Sequence, residues 1–200
     1  MNIALLFGSF NPIHNGHLAM AKAALLSNKI DEAWFVVSPH NPLKDPSILA
    51  PAEDRAHMVS LAIHGEEKMK LCTIEFNMPT PSYTVNTIHQ LKSAYPSFHF
   101  HILCGTDVVN SLPAWHKFEE LIQSVKFLVC SRETNAENSA NTLVQKFSQQ
   151  FEFIDFETMN VSSTQIRKNL ANFGKSDDLP ESVNQFIFEK KLYHDTDRVQ

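Results

Sequence analysis

The chain has no surplus of positive charge: 17 Lys and Arg stand against 22 Asp and Glu, a formal net charge of -5 over 200 residues. That balance excludes a surface built to coat nucleic acid, but not a small anionic ligand, which needs positive potential only locally. Cysteine is scarce and odd in number. Cys72, Cys104 and Cys130 all fall in apolar, strand-like runs and read as buried free thiols in a reducing compartment. The N-terminus lacks the basic segment of a secretory signal, and no apolar run approaches the length of a membrane span, so the chain reads as soluble and cytoplasmic. No internal repeat is evident. What is present is a 43% hydrophobic composition, enough for a sizeable core.

The apolar stretches at 3–7, 32–37, 71–76, 98–104, 126–131 and 151–156 read as buried parallel strands, and helical patterns separate them. Strand and helix alternate throughout, which predicts an α/β fold, a doubly wound parallel sheet of Rossmann type with ligands at the carboxyl edge. One domain over 1–200 is expected, with a sheet-bearing core at 1–157, a small C-terminal helical part at 158–193 and a frayed tail at 194–200. Residues 134–150 are polar and predict a peripheral helix with no chemistry in it. Arg55, on a helix after Pro51, reads as locally paired.

Between the first strand and the first helix lies Gly8-Ser9-Phe10-Asn11-Pro12-Ile13-His14-Asn15-Gly16-His17. A strand, a short turn with glycines and a helix N-terminus form the geometry in which backbone N–H groups converge on an anion. Gly8 and Gly16 allow close approach of the backbone. His14 and His17, three apart, project to one side if the helix starts near His14; each can donate to a phosphoryl oxygen and gains charge readily beside a polyanion. The turn therefore reads as a phosphate site. A surface turn with two solvated histidines is the plainer alternative. A metal pair is disfavoured, because His-x-x-His has no Cys or carboxylate beside it at ligand spacing.

A second anion site is suggested far downstream. Asn160-Val161-Ser162-Ser163-Thr164-Gln165-Ile166-Arg167 opens a helix with three successive hydroxyls and an arginine one turn in. Taken alone, a serine N-cap with a surface arginine explains it equally. Gly105-Thr106-Asp107 follows a central strand and sets a carboxylate where a ribose hydroxyl can donate to it, with a helix N-cap as the competing role. Trp115 follows Pro113 and Ala114 in a polar neighbourhood and reads either as a stacking face or as a core side chain. Ser82 or Thr84 is a candidate cap for the helix that starts near Val85.

These segments carry a family resemblance. Residues 9–17 are similar to the [T/S]-x-x-P-x-H-x-G-H signature of the nucleotidyltransferase superfamily, and Val161 to Arg167 resembles its second signature, Ile-Ser-Ser-Thr-x-Ile-Arg. Pro81-Ser82-Tyr83-Thr84-Val85-Asn86-Thr87, the Leu112-Pro113-Ala114-Trp115 run after Gly105 and Asp107, and the proline-flanked Lys44 resemble segments of nicotinate-nucleotide adenylyltransferases. Five motifs in the expected order span residues 3–193. The sequence departs from that family's usual Gly-Gly-[T/S]-Phe-Asp-Pro at two places, where Phe7 and Asn11 stand.

The resemblance implies transfer of AMP from ATP to the phosphate of nicotinate mononucleotide, giving nicotinate adenine dinucleotide and pyrophosphate on the route to NAD. It implies His14, His17, Lys44 and Arg167 as catalytic residues. Gly8, Ser9, Phe10, Gly105, Asp107, Ser162, Ser163 and Thr164, with His17 and Arg167, would contact ATP. Asn11, Tyr83, Thr84 and Trp115, with His14 and Lys44, would contact nicotinate mononucleotide. No protein metal site is expected; Mg2+ would be held by the ATP phosphates and water. No activated nucleophile stands out, so direct in-line attack is the simplest route. A nicotinamide-mononucleotide or dual-specificity enzyme and a non-catalytic nucleotide sensor remain open, and so does a homo-oligomer.

Overall fold

A computed structural model describes residues 1–42, 45–131, 142–157 and 159–194. Six strands form one sheet: β1 (Asn2–Gly8), β2 (Glu32–Val37), β3 (Met69–Cys72), β4 (His99–Gly105), β5 (Lys126–Ser131) and β6 (Phe151–Asp155). Their order is β3-β2-β1-β4-β5-β6, and every pairing is parallel. This is the doubly wound Rossmann order that the alternating elements predict. The chain moves outward from β1 in one direction and from β4 in the other. The loops leaving these two neighbours therefore diverge and open a crevice at their carboxyl ends.

The strands are apolar on both faces because both faces are covered. Ile3 and Leu5 of β1 point into one core with Val85, Ile88 and Leu91 of α3 (Thr84–Ala94), Val109 of α4 (Thr106–Ser111) and Leu121 of α5 (Phe118–Ser124). Ala4 and Leu6 point into the other. There they meet Ala21 and Ala24 of the helix at Asn15–Leu26, and Met58 and Val59 of the helix at Ala52–Ala62. Ile166 and Leu170 of the helix at Ser163–Phe173 and Val183 and Ile187 of the helix at Glu181–Lys190 complete that core. With the short helix at Thr142–Lys146 counted, these are α1, α2, α7, α8 and α6 in the numbering used below. All three cysteines are free and buried. Among the described residues no helix is long and apolar enough to cross a membrane.

Three expectations need correction. The run at 71–76 is not one strand: β3 stops at Cys72, and Ile74–Asn77 winds into a 3-10 turn. The turn carries Glu75 inward, where the Thr87 hydroxyl donates to its carboxylate at 2.7 Å, a buried partner that an edge strand would not supply. The helix α3 has Tyr83 at its N-cap and no side-chain cap from Ser82 or Thr84. Of the helix expected within 134–150, Thr142–Lys146 and a 3-10 turn at Ser148–Gln150 are seen, while 134–141 lies outside the described residues.

The third correction is Arg55, only 1% exposed. Its guanidinium donates to four backbone carbonyls: Ala50 at 2.9 Å, Ser9 at 2.5 Å, Ser38 at 2.8 Å and Pro39 at 2.9 Å. Only Ala50 is local. The side chain ties the loop after β1 to the loop after β2. Replacing Arg55 with Met keeps the volume and strands the carbonyls, so stability should fall by about 2–4 kcal/mol. The melting temperature should drop by roughly 5–15 °C in a thermal scan; an unchanged melting temperature would refute the tie.

Candidate active site

The crevice contains a cavity of about 750 Å³ at the carboxyl ends of β1 and β4. Gly8, His17, Tyr83, Thr84, Gly105, Asp107 and Trp115, all singled out from sequence, line it. Five further polar residues line it that were given no site role from the sequence: Ser38 and Asn41 after β2, Ser82, Ser111 and His116. Of these, only Ser82 had a signal, being inside the Pro-Ser-Tyr-Thr segment. His116 lies against Tyr83, ring centroids 4.2 Å apart and planes tilted by 30°.

The turn after β1 is built in layers. Phe10, at φ 46°, folds its ring back over Gly8; a β-carbon on Gly8 would come within 3.0 Å of that ring. Glycine at position 8 is thus required by packing as well as by approach to a ligand. Phe10 is 2% exposed, edge-on to His17 at 5.1 Å and close to Phe35 at 5.8 Å, so its side chain belongs to the core. The helix α1 starts at Asn15 with His14 at its N-cap. The imidazoles of His14 and His17 stack with centroids 3.7 Å apart, on one side as their spacing predicts.

Their protonation follows from the geometry. The His14 backbone N–H donates to His17 Nδ1 at 3.2 Å, which fixes the neutral tautomer of His17 with its proton on Nε2. Burial pulls the His17 pKa well below the usual histidine range, and the neighbouring His14 pulls it further. Burial alone lowers His14 to about 4, and its Nδ1 has no partner within the protein. Both rings are therefore neutral at pH 7, hydrogen-bond donors rather than cations. With no anion beside them, desolvation keeps both rings uncharged.

The second phosphate-like motif lies against the first, although about 150 residues separate them. Ser162 caps α7, its side chain accepting the Gln165 N–H at 3.2 Å. The Ser163 hydroxyl donates to the Pro12 carbonyl at 3.1 Å. Arg167 Nη1 donates to the Asn11 carbonyl at 3.0 Å, and Nη2 lies 3.4 Å from the Thr164 hydroxyl. Ser162 and Thr164 are exposed, whereas Arg167 is 5% exposed with Nε unpartnered. Asn11 is off the cavity wall, 4% exposed, its amide bonded to Ile48 and Ala50. Ser9 also lies off it, its hydroxyl buried without a partner. Lys44 lies outside the described residues; Asn41 and Pro42, just before it, border the cavity.

At the other wall, α4 has Gly105 at its N-cap and Asp107 in its first turn, so Asp107 is not the cap. Its carboxylate bends back over Gly105: a β-carbon there would sit 2.5 Å from Oδ1. Among the described residues no cluster of three or more His, Cys, Asp or Glu is placed to hold a metal ion.

A six-stranded Rossmann sheet with two helix N-termini converging on one glycine turn defines a nucleotidyltransferase-like protein. A family model described as cytidylyltransferase-like matches residues 5–169. A protein of Flavobacterium psychrophilum is 37% identical over 194 residues, covering 96% of this chain and 99% of its own length. One of Shouchella clausii is 37% identical over 195 residues, covering 96% and 97%. Both carry the name probable nicotinate-nucleotide adenylyltransferase. Among solved structures, nicotinic acid mononucleotide adenylyltransferase of Plasmodium falciparum complexed with NaAD has the same fold, with a TM-score of 0.80 at 21% identity over 96% of this chain and 97% of that one. The chain belongs to the nicotinate-nucleotide adenylyltransferase family.

The buried histidine yields a pH dependence. In the unfolded chain His14 titrates near 6.5, in the folded chain near 4, so between these values the unfolded state binds more protons. Stability should fall as pH drops from 6.5 towards 4, by up to about 3 kcal/mol from this residue. Urea titrations at several pH values should show a smaller acid loss in His14→Gln; an identical loss would contradict the assignment.

Proposed function

We propose that the protein transfers the AMP group of ATP to the phosphate of nicotinate mononucleotide, forming nicotinate adenine dinucleotide and pyrophosphate in NAD biosynthesis. The observation that carries this reading is the junction of the β1 turn with the start of α7, beside a cavity large enough for a base and ribose. One phosphate oxygen of nicotinate mononucleotide attacks the α-phosphorus as the bond to the bridging oxygen of pyrophosphate breaks. No enzyme nucleophile is needed, and the protein contributes position and charge stabilisation.

His17 donates from Nε2 to the phosphoryl group in flight, and His14 stands behind it in the stack. Arg167 and the N-terminus of α7, with Ser162, Ser163 and Thr164, hold the β- and γ-phosphates. Lys44, outside the described residues, is assigned a charge contribution by the family resemblance alone. Asp107 accepts from a ribose hydroxyl, and Gly8, Ser9 and Phe10 bring backbone close to the nucleotide. Among the described residues Asp107 is the one carboxylate on the cavity wall, too few for a protein cage around Mg2+. Mg2+ would be held by the triphosphate oxygens and water, and would supply charge neutralisation there.

Tyr83, Thr84 and Trp115 enclose the acceptor base. Two donors near it, the Ser82 hydroxyl and the Trp115 indole N–H, are buried without an acceptor in the protein. A carboxylate accepts from both at once through charge-assisted bonds, whereas a carboxamide accepts on one side only, through neutral bonds, and must use the Ser82 hydroxyl as an acceptor on the other. This favours the acid over the amide.

Pyrophosphate release with ATP and Mg2+ should be about 100-fold more efficient, in kcat/KM, with nicotinate mononucleotide than with nicotinamide mononucleotide, as expected when two charge-assisted hydrogen bonds are set against neutral ones. Comparable use of both would show a dual-specificity enzyme. No release with either, alongside retained ATP binding, would indicate a nucleotide sensor. Replacing His17 with Ala should lower kcat by about 100-fold or more while the circular dichroism spectrum is unchanged; a near-normal rate would remove His17 from the mechanism.

A further inference from the structure

Tyr193 is near the end of the described chain, yet its hydroxyl donates to Asn11 Oδ1 at 2.8 Å, across a separation of 182 residues. The approach is built by the end of α8. Lys191 N–H donates to Phe188 O at 3.2 Å and Leu192 N–H to Ile187 O at 3.0 Å, the paired bonds of a Schellman reversal. Lys191 takes the left-handed position at φ 54°, where glycine is usual, and Tyr193 is left-handed as well at φ 61°. Two side-chain-bearing residues are held in a disfavoured conformation, and the result is a phenol aimed back into the protein.

The phenol arrives at the most constrained point of the β1 turn. Asn11 Oδ1 also accepts the Ala50 N–H at 2.9 Å, and Asn11 Nδ2 donates to Ile48 O at 2.9 Å. The amide is thus gripped from the loop before α2 and from the C-terminus together. Burial raises the Tyr193 pKa above the ordinary phenol value, although Arg55 and Arg167 nearby pull it down. The hydroxyl stays protonated and is a donor at any physiological pH. Arg167, for its part, has one well-formed bond, from Nη1 to the Asn11 carbonyl at 3.0 Å; its Nε is unpartnered and its contact with Thr164 is long at 3.4 Å. The position of the guanidinium therefore follows the position of Asn11.

We propose that Tyr193 is a positioning residue for the triphosphate: the C-terminal turn clasps Asn11 and, through the Asn11 carbonyl, sets the guanidinium of Arg167 against the β1 turn. This rests on the reading of that junction as the ATP phosphate site. Without the clasp, Arg167 samples several orientations and part of the binding energy is spent on ordering it.

The test is calorimetric titration of the full chain with α,β-methylene-ATP and Mg2+, without acceptor, well below the melting temperature. Tyr193→Phe keeps the ring and removes only the hydroxyl; its Kd should rise about three- to tenfold, the range for one hydrogen bond acting on a charged contact. Asn11→Ala should weaken binding at least as much, and the double variant should be no weaker than Asn11→Ala alone, because Tyr193 acts through Asn11. A Kd for Tyr193→Phe within twofold of the native chain, with only a lowered melting temperature, would reduce Tyr193 to a stabilising contact and overturn the proposal. Additive losses in the double variant would overturn it too. Native protein that binds the analogue but does not turn over nicotinate mononucleotide would sink the acceptor reading and leave the Tyr193 comparison valid. Native protein that does not bind the analogue would overturn both.

Discussion

The site depends on carbonyls that have to be turned away from it. A turn that offers its N–H groups to an anion points its C=O groups inward, and buried carbonyls need donors. No strand or helix N–H supplies them at Ser9, Asn11 or Pro12. Side chains do: Arg55 takes Ser9 O, Arg167 takes Asn11 O and Ser163 takes Pro12 O. The donors come from α2 and α7, on the same face of the sheet as α1. One set of bonds therefore holds the turn, brings the two phosphate-like motifs together and stations two cations behind a ligand site in a chain of net charge -5.

The same arrangement explains which residues could be found from sequence. Strand positions were legible because β1, β2, β4 and β5 are buried on both faces and read as continuous apolar runs. The signature residues from Gly8 to His17 and from Ser162 to Arg167 were legible because both stretches match signatures of the superfamily residue by residue. Arg55 was misread because its partners are main-chain carbonyls, which have no sequence identity. Tyr193 and Asn11 gave no sign of their pairing, since nothing local links two residues so far apart. The charge state of His14 and His17 was hidden as well: it is set by desolvation, a property of the folded neighbourhood and not of spacing. Glu75 ended the third strand early for the same kind of reason, an internal partner on α3 that no window of residues reveals.

Neutral histidines fit the direct-transfer account. A pair of imidazolium ions would hold polyphosphate tightly before and after reaction. Neutral N–H donors bind a phosphate more weakly and gain strength as negative charge accumulates on the moving group, which is the differential that catalysis requires. Of the permanent cations, Arg55 is taken up by main-chain carbonyls behind the turn, while Arg167 keeps Nε free and serves the leaving pyrophosphate rather than the group in flight.

The most direct test of that account is the stereochemistry at the transferred phosphorus. Nicotinate adenine dinucleotide made from a single diastereomer of adenosine 5′-O-(1-thiotriphosphate) would be analysed by phosphorus NMR for the configuration of its thiophosphoryl centre. One displacement between the β1 turn and α7 predicts inversion. Retention would require two displacements and a covalent adenylyl-enzyme, and would contradict transfer by positioning alone.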